Sequence, residues 1–271
     1  MFTIQLNDIT SLKATFIEAS SFEMGSPSDE IERSPDETQH QVTLTNNFYM
    51  MTSTVTQAQF QALMGYNPSH FRGENLPVEK ISWHEAADFA NALSVKEEKE
   101  RCFVCKGKEK QVICKIKPQF EGKNYYKCKG WRLPTEAEWE YAYRAGTTTP
   151  FYTGKCLSSD EANYDGNYPA KTCQHGLYRQ KTIDVETLKP NAWGLYDMAG
   201  NVREWIYDLY QKDLGNIQIT DPIYYDEGLY RVLRGGGWGY DAWSCRAANR
   251  LRLPPTFKNF ALGVRLVQTQ F

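Results

Sequence analysis

The feature that most constrains this fold is the placement of its helix signals, all of which lie before residue 145. At three places a Ser or Thr followed three residues later by Glu or Gln, which is the pattern of a capping box, directly precedes an apolar run with helical period. These boxes begin at Thr56, Ser82 and Thr135, and each predicts a short amphipathic helix. Beyond residue 145 the helical period fades, and Gly, Asn, Asp and aromatic residues dominate. The high content of aromatic residues, Gly and Pro favours short elements and packed loops over a helical bundle or a doubly wound sheet.

The strand signals are short and are separated by turn residues. Alternating residues predict one strand at Ala14–Glu18 and a second from Gln41 to Met51, with an acidic loop between them from Asp29 to Glu37. The chain has 7 Trp, 17 Tyr, 19 Gly and 12 Pro, a mixture that favours short elements joined by packed loops. We therefore expect a loop-rich α+β fold.

The charge pattern excludes some classes of partner. A formal net charge of −2 provides no global basic field for nucleic acid or for an anionic membrane. No stretch approaches the roughly 18–20 apolar residues that span a bilayer. The opening residues, Met1–Ile4, are too short and too polar for a secretory signal. The protein is therefore either cytosolic or exported, with any signal or lipid anchor outside this sequence.

Four of the seven cysteines lie in a Lys-rich stretch, residues 96–129, which we interpret as an insertion into a single domain spanning residues 1–271. A Cys-x-x-Cys followed by two further thiols fits a four-coordinate zinc knuckle. Two local disulfides in an exported protein fit the same pattern. In either case the cysteines would cross-link a hairpin; they are Cys102, Cys105, Cys114 and Cys128.

Several strings, taken together, are more specific than any of these signals. They are residues 22–25, 78–83, WRLPTEAEWEYA at 131–142, GLYDMAGNVREW at 194–205, RVLRGGGW at 231–238, and 262–265. Their order and spacing resemble the formylglycine-generating-enzyme (sulfatase-modifying factor) family over nearly the full length. The resemblance implies a C-type-lectin-like core. The acidic residues after Arg132 suit a helix N-terminus, so we expect structural roles in that string, and Trp139 and Trp205 are expected in the core.

One of these strings has the residue types of a calcium loop. Asp197 and Glu204 are seven positions apart on a Gly-containing turn, and calcium accepts such mixtures of carboxylate and carbonyl oxygens. The resemblance implies ligation by the Asp197 and Glu204 side chains and by the carbonyls of Gly200 and Val202. The alternative is that the two carboxylates hydrogen-bond the loop backbone without a metal.

The resemblance implies a second, weaker calcium site. Asn163 and Tyr164 match its first two ligands by side chain and carbonyl, and Leu177 offers only a carbonyl. His175 stands where an aspartate is expected. Loss of a hard anionic ligand should weaken calcium binding there.

The resemblance also defines what the chain lacks for catalysis. Enzymes of the family use two cysteines, five residues apart, that bind copper and engage the substrate thiol. Ala242 stands at the second expected position, and the first falls within 237–240, which holds no cysteine. Cys245 is predicted to be a buried structural thiol. We therefore expect no formylglycine-generating oxidase, although an enzyme of this fold remains the alternative.

Iron-dependent sulfoxide synthases built on the same fold need a histidine-rich facial triad. The four histidines are not paired at helical ligand spacing, which argues against that chemistry; they are His40, His70, His84 and His175.

The segment 237–261 is predicted to bind a ligand. Its apolar residues alternate with Arg252, Lys258 and Asn259 in a Pro-containing loop, without a sustained strand or helix period. Such a patch has the composition of a protein-binding surface. The expected partner is an unidentified protein or other macromolecule rather than nucleic acid, and the chain is expected to be a monomer.

More narrowly, the segment resembles the variable proteins of diversity-generating retroelements, notably the treponemal surface type. That resemblance implies a cell-surface or exported protein, with a cytoplasmic one as the alternative. An ordinary loop of the family is the competing interpretation of the segment. The expected diversified positions are Gly237, Gly239, Tyr240, Asp241, Ser244, Leu251, Leu253, Pro254, Phe257, Phe260 and Ala261. The expected fixed scaffold is Trp238, Ala242, Trp243, Cys245, Arg246, Ala247, Ala248, Arg250, Gly263 and Arg265.

Overall fold

The three predicted helices are present in the structure, a computed structural model that describes residues 1–226 and 228–271. They are α1 (Gln57–Met64), α2 (Trp83–Lys96) and α3 (Glu136–Arg144). Each begins with a reciprocal capping box, in which the Ser or Thr side chain accepts from the backbone N–H three residues on and the Glu or Gln side chain accepts from the cap N–H. The sequence prediction of all three helices is confirmed.

The strands are short and divide among four sheets. In the described residues they are β1 (Phe2–Gln5), β2 (Ser11–Ile17), β3 (Ser21–Met24), β4 (His40–Thr43), β5 (Phe48–Met51), β6 (Phe103–Lys106), β7 (Ile113–Ile116), β8 (Arg203–Leu209), β9 (Ile219–Thr220), β10 (Arg231–Arg234), β11 (Leu251–Leu253), β12 (Leu262–Gly263) and β13 (Val267–Thr269). The sheet orders are β1-β2-β5-β13, β11-β10-β8-β12, β3-β4-β9 and the β6-β7 hairpin. The predicted loop-rich α+β architecture is confirmed.

One predicted strand is wrong. The strand expected from Gln41 to Met51 is two strands, β4 and β5, which belong to different sheets. The chain turns between them because Asn47 Oδ1 accepts a hydrogen bond from Ala19 N and Thr45 binds the Asp221 carboxylate. The strand predicted at Ala14–Glu18 is confirmed as β2.

The Lys-rich insertion contains the β6–β7 hairpin and three 3-10 turns, at Glu109–Gln111, Pro118–Phe120 and Gly122–Lys127. Its cysteines form two disulfides, Cys102–Cys128 and Cys105–Cys114. The structure therefore contains two disulfides rather than the zinc knuckle, because a sulfur atom in a disulfide is not available as a thiolate ligand for a metal. A third disulfide, Cys156–Cys173, was not predicted.

The core places aromatic and arginine side chains side by side. Trp139 and Trp205 are fully buried, as expected. Arg132 is also fully buried, and its two terminal nitrogens donate to Glu138 at 2.8 and 2.7 Å. Such bidentate pairing offsets the desolvation of both charges. The string at 131–142 therefore has the structural role that was predicted.

The sheet around β8 positions the predicted binding segment. β10 pairs with β8 on one side and β12 pairs with it on the other, so residues 237–261 leave and re-enter the same sheet. Within the segment, a 3-10 turn at Ala242–Cys245 is followed by β11, which pairs with β10. Both ends of the segment are thus fixed to one rigid element.

Candidate binding surface

Buried arginines hold the segment 237–261 in place from beneath. Arg246 donates to Glu37 at 2.7 and 2.8 Å and to Glu30 at 2.6 Å. Arg250 donates to Glu136 at 2.6 and 2.9 Å. All of these carboxylates are buried or nearly so. Removing one partner of such a pair leaves an uncompensated buried charge, which costs about 3–5 kcal/mol.

We call these buried ion pairs of Arg246 and Arg250 the arginine frame. The acidic loop noted in the sequence supplies part of it. Glu30 and Glu37 come from it, and Asp36 accepts from Tyr210 at 2.7 Å. The loop is therefore a structural counterpart of the segment's arginines rather than a free acidic surface.

Above the frame, aromatic side chains from three separate parts of the chain form a partly exposed cluster, which we call the aromatic surface. Trp238 stacks on Phe260 with ring centroids 5.7 Å apart and on Tyr178 at 6.3 Å. Phe71 meets Trp238 edge-on at 5.5 Å, and His70 lies 5.7 Å from Phe260. Trp238 Nε1 donates to the Phe260 carbonyl at 3.1 Å, which ties the two ends of the segment together.

The predicted diversified positions fall into three groups by burial. Phe257 and Phe260 are 42% and 46% exposed, and Gly239 and Pro254 are also exposed. Four more are half-buried at the edge of the surface: Tyr240, Asp241, Leu251 and Leu253. The remaining three are buried, so their predicted place on the surface is wrong; they are Gly237, Ser244 and Ala261.

Local structure explains these three corrections. Gly237 lies under the Tyr240 ring, where an added Cβ would stand 3.3 Å from a ring carbon. Ser244 lies in the 3-10 turn, and its N–H is bonded to Asp241 Oδ1 at 2.8 Å. Ala261 leads directly into β12, and its N–H is bonded to Asn259 Oδ1. Each of the three residues is therefore part of a locally bonded turn and is not displayed on the surface.

Eight of the ten positions of the predicted scaffold are buried, and two are not. Trp238 and Trp243 are half-buried and not in the core. Trp238 is instead the centre of the aromatic surface, because it has aromatic neighbours on several sides. The buried eight are Ala242, Cys245, Arg246, Ala247, Ala248, Arg250, Gly263 and Arg265.

Tyr240 covers a buried arginine of β8. Its ring centroid lies 4.6 Å from the Arg203 guanidinium carbon. Burial lowers the pKa of Arg203, and the neighbouring Tyr240 acts in the opposite direction. A cation stacked under an aromatic ring is a stabilising contact, stronger when it is shielded from water.

The expected catalytic positions hold no reactive thiol. Ala242 is fully buried in the 3-10 turn, and Cys245 is fully buried behind it. Burial raises the pKa of the Cys245 thiol to about 12, although the Arg203 guanidinium lowers it in part. The thiol is therefore protonated near neutral pH, and a thiol buried in this way is inert.

The residues of the predicted calcium loop are close to one another, but one of the two carboxylates is already paired. Glu204 accepts from Arg265 at 2.9 and 3.1 Å and from Trp139 Nε1 at 2.7 Å. Asp197 is buried, accepts from Glu186 N at 3.0 Å, and has its pKa raised to about 6 by burial. The oxygen donors suit calcium on the Asp197 side, while Glu204 would have to share its charge with Arg265.

The second predicted site has one notable atom. Asn163 Oδ1 is buried and, in the described part of the chain, has no hydrogen-bond partner. Leu177 is 57% exposed, and its carbonyl packs against Gly166, so its loop runs beside the Asn163–Tyr164 loop. The Asn163 carbonyl also accepts from Asn201 N at 2.7 Å, which joins the two predicted calcium loops. An orphaned buried oxygen fits a cation ligand.

Sequence reasoning missed the residues that other loops bring to the surface. His70 and Phe71 lie on a turn whose two N–H groups are both bonded to the buried Glu79 carboxylate. Tyr178 follows the exposed Leu177. Glu79, within the string at 78–83, is the one sequence signal that could have indicated the turn at His70 and Phe71. A buried carboxylate needs hydrogen-bond donors, and the backbone N–H groups of this turn provide them.

Comparison with known proteins identifies the family to which the chain belongs. Residues 7–270 match the family described as "Sulfatase-modifying factor enzyme 1-like domain". Chaperone protein LppX of Paenibacillus barcinonensis is 34% identical over 71% of this chain and 70% of its own. The formylglycine-generating enzyme of Streptomyces coelicolor is 35% identical over 52% of this chain, which spans about half of that enzyme (48%).

A solved structure is similar over the full length. Variable protein 1 of Treponema denticola superposes with a TM-score of 0.82 and 28% identity over 99% of both chains. The predicted resemblances to the family and, more narrowly, to a treponemal variable protein are thereby confirmed, as is the C-type-lectin-like fold of the formylglycine-generating-enzyme type. The chain belongs to the sulfatase-modifying factor enzyme 1-like domain family.

Proposed function

We propose that the protein is a non-catalytic ligand-binding protein whose recognition site is the aromatic surface and the loop around Phe257. The observation that carries this proposal is the cluster of Trp238, Phe260, Tyr178 and Phe71, part-exposed yet mutually packed. Aromatic side chains held rigidly at a surface are typical anchors of protein recognition. The expected partner is a protein or another macromolecule.

The buried arginine frame supports the idea that the segment displays variable residues. Side chains of Phe257, Phe260 and Leu253 contribute little to the ion pairs beneath them, which are made by Arg246 and Arg250. Exchange of the exposed residues would therefore alter recognition without removing the frame. The likeness to a treponemal variable protein supports the same proposal.

Export to the cell surface is part of the proposal, and the three disulfides support it because such bonds persist in oxidising compartments. Within the described residues, no helix is long and apolar enough to cross a membrane.

The test compares two randomised libraries displayed on yeast. One library varies Gly239, Leu253, Phe257 and Phe260. The control library varies four exposed apolar positions elsewhere: Ile9, Val95, Ile217 and Leu229. Both are sorted for trypsin resistance, which reports folding, and then for binding to biotinylated lysozyme as an arbitrary probe protein.

We expect both libraries to remain largely folded and the first alone to yield specific binders with Kd below about 1 μM. Equal yields from the two libraries would remove the special role of the segment. Widespread unfolding in the first library alone would show that its positions are structural.

A further inference from the structure

The β6–β7 hairpin of the insertion concentrates positive charge in a chain whose net charge is −2. Residues 101–117 hold six cations and one acid, Glu109. The lysines that form salt bridges in the described part of the chain are Lys13, Lys99 and Lys258, none of which belongs to the hairpin. Among the described residues, the lysines of the hairpin therefore have no salt-bridge partner, and the small net charge of the whole chain conceals this local positive charge.

The strand register places these charges on one face. Val104 pairs with Lys115, and Lys106 pairs with Ile113. Residues opposite each other in an antiparallel pair point to the same side of the sheet. All four are exposed, including 47% of both Val104 and Ile113. The outer face is thus two lysines and two aliphatic side chains, diagonally placed, with Lys108 and Lys110 at the tip.

The opposite face of the hairpin is fixed to the body of the protein. Phe103 and Cys114 are buried. Asn91 of α2 bonds both the N–H and the carbonyl of Phe103, each at 3.1 Å. The Cys105–Cys114 disulfide joins the strands directly behind the lysine face. The outer face is therefore presented as a preformed surface and loses little entropy on binding.

The residue types on this face discriminate among anionic partners. Protein interfaces are depleted in Lys and enriched in Arg and aromatic residues, which this face lacks. Nucleic-acid surfaces use Arg forks and stacking rings, which are also missing here. Lysine ammonium groups around exposed aliphatic side chains match an anionic headgroup layer above an acyl boundary. We propose that the outer face of the β6–β7 hairpin docks on an anionic phospholipid surface.

The test is co-sedimentation of the whole protein with vesicles of phosphatidylcholine containing 30% phosphatidylserine or none. One variant replaces the hairpin lysines by glutamine at positions 106, 108, 110 and 115. The control makes the same change at four other exposed lysines: Lys155, Lys171, Lys181 and Lys189. A third variant, Val104→Thr with Ile113→Thr, tests the aliphatic pair. Circular dichroism and thiol titration verify that each variant is folded and oxidised.

We expect binding to the phosphatidylserine vesicles alone, weakened at least about 100-fold in the hairpin lysine variant and less than about 3-fold in the control. High salt should reduce it. The threonine pair should weaken it about 10-fold. Equal loss in the two lysine variants would overturn the proposal, and so would equal binding to uncharged vesicles. Tighter binding to a 20-base-pair DNA at equal phosphate concentration would assign the face to nucleic acid instead.

Discussion

Cys245 illustrates how position decides the chemistry of a single residue. It is the free cysteine among the described residues, and it lies three positions from where the family's second catalytic thiol is expected. With a pKa of about 12, about one molecule in 10⁴ carries the thiolate at pH 8. A thiol that is protonated and covered is a poor nucleophile toward a substrate thiol, because the attack requires an accessible thiolate.

A first prediction follows for this residue. Incubated with copper, oxygen and a peptide containing Cys-x-Pro-x-Arg, the protein should produce no formylglycine by mass spectrometry. In native protein, Cys245 should not react with a thiol-specific disulfide reagent, whereas it should react fully in guanidinium. The disulfide cysteines serve as the internal control, since they react in neither case without reductant. Formylglycine in the peptide would restore the oxidase alternative.

Asp208 gives a second prediction at this scale. Its buried carboxylate accepts from Glu136 N at 2.8 Å and Tyr224 N at 2.9 Å. Burial, with a further contribution from the Glu136 charge, raises its pKa to about 7. Because the pKa of Asp208 is higher in the folded state than in the unfolded state, protonation of this carboxyl stabilises the folded protein. The stabilisation is complete below about pH 4 and is lost as pH rises to about 7.

Asp208→Asn should remove this dependence. Between pH 4 and pH 7, the free energy of unfolding of the wild type should fall by up to about 4 kcal/mol relative to that of the variant. Urea unfolding at several pH values measures the difference, with the exposed Asp213→Asn as a control that leaves the wild-type slope intact. Parallel curves for wild type and Asp208→Asn would show that this carboxyl does not set the pH dependence.

At the scale of elements, the loop between β11 and β12 is anchored by its backbone and one ion pair. Pro255 and Asn259 carbonyls accept from Trp83 N and Lys80 N, both at 3.0 Å. Lys258 Nζ lies 2.6 Å from Glu85, the buried carboxylate of the α2 capping box. Because these anchors hold the loop through its backbone and Lys258, Phe257 and Phe260 remain partly exposed, Phe260 with one side packed against the aromatic surface.

A third prediction compares the exposed phenylalanines of this loop with the buried arginines of the arginine frame. Phe257→Ser and Phe260→Asn should each change the free energy of unfolding by no more than about 1 kcal/mol, since exposed side chains lose little buried area. Arg246→Ala and Arg250→Ala should cost about 3–5 kcal/mol, because buried carboxylates lose their partner. Guanidinium titrations measure both sets. Comparable losses in the two sets would make the phenylalanines core residues.

The limits of sequence reasoning also appear at this scale. Capping boxes predicted all three helices because their hydrogen bonds are local and involve specific residue types. The strand from Gln41 to Met51 was wrong because the break depends on Asp221, 176 positions away from Thr45. The same difficulty applies to the site. The segment 237–261 was predicted to bind a ligand from its composition and its family resemblance, whereas Phe71 and Tyr178 are brought to it only by the fold.

For the whole molecule, the two predicted calcium loops join distant parts of the chain. Asn201 N donates to the Asn163 carbonyl, and Glu204 is bonded to Arg265 near the C-terminus. An ion bound among Asp197, Gly200, Val202 and Glu204 would therefore stabilise several layers together. Because binding to the native state alone is linked to folding, the effect should appear in global unfolding.

The fourth prediction is that chelation lowers the melting temperature of calcium-loaded protein. Calcium at about 100 times its dissociation constant adds roughly 2.7 kcal/mol. Asp197→Asn should abolish the difference, and it preserves the Glu204–Arg265 pair that Glu204→Ala would break. Differential scanning calorimetry with calcium or chelator measures it. Equal melting of loaded and chelated samples would mean that the carboxylates hold the loop without metal.

The buried arginine pairs also determine when the molecule can fold. Arg246 meets Glu37 across 209 residues, and Arg250 meets Glu136 across 114. Contacts of such high sequence separation form slowly, and a chain dominated by them passes through incomplete intermediates. During synthesis, Glu37 and Glu136 must wait for these partners until residues 246–250 have been added to the chain. Synthesis of this segment, rather than helix formation, should therefore trigger the final folding step.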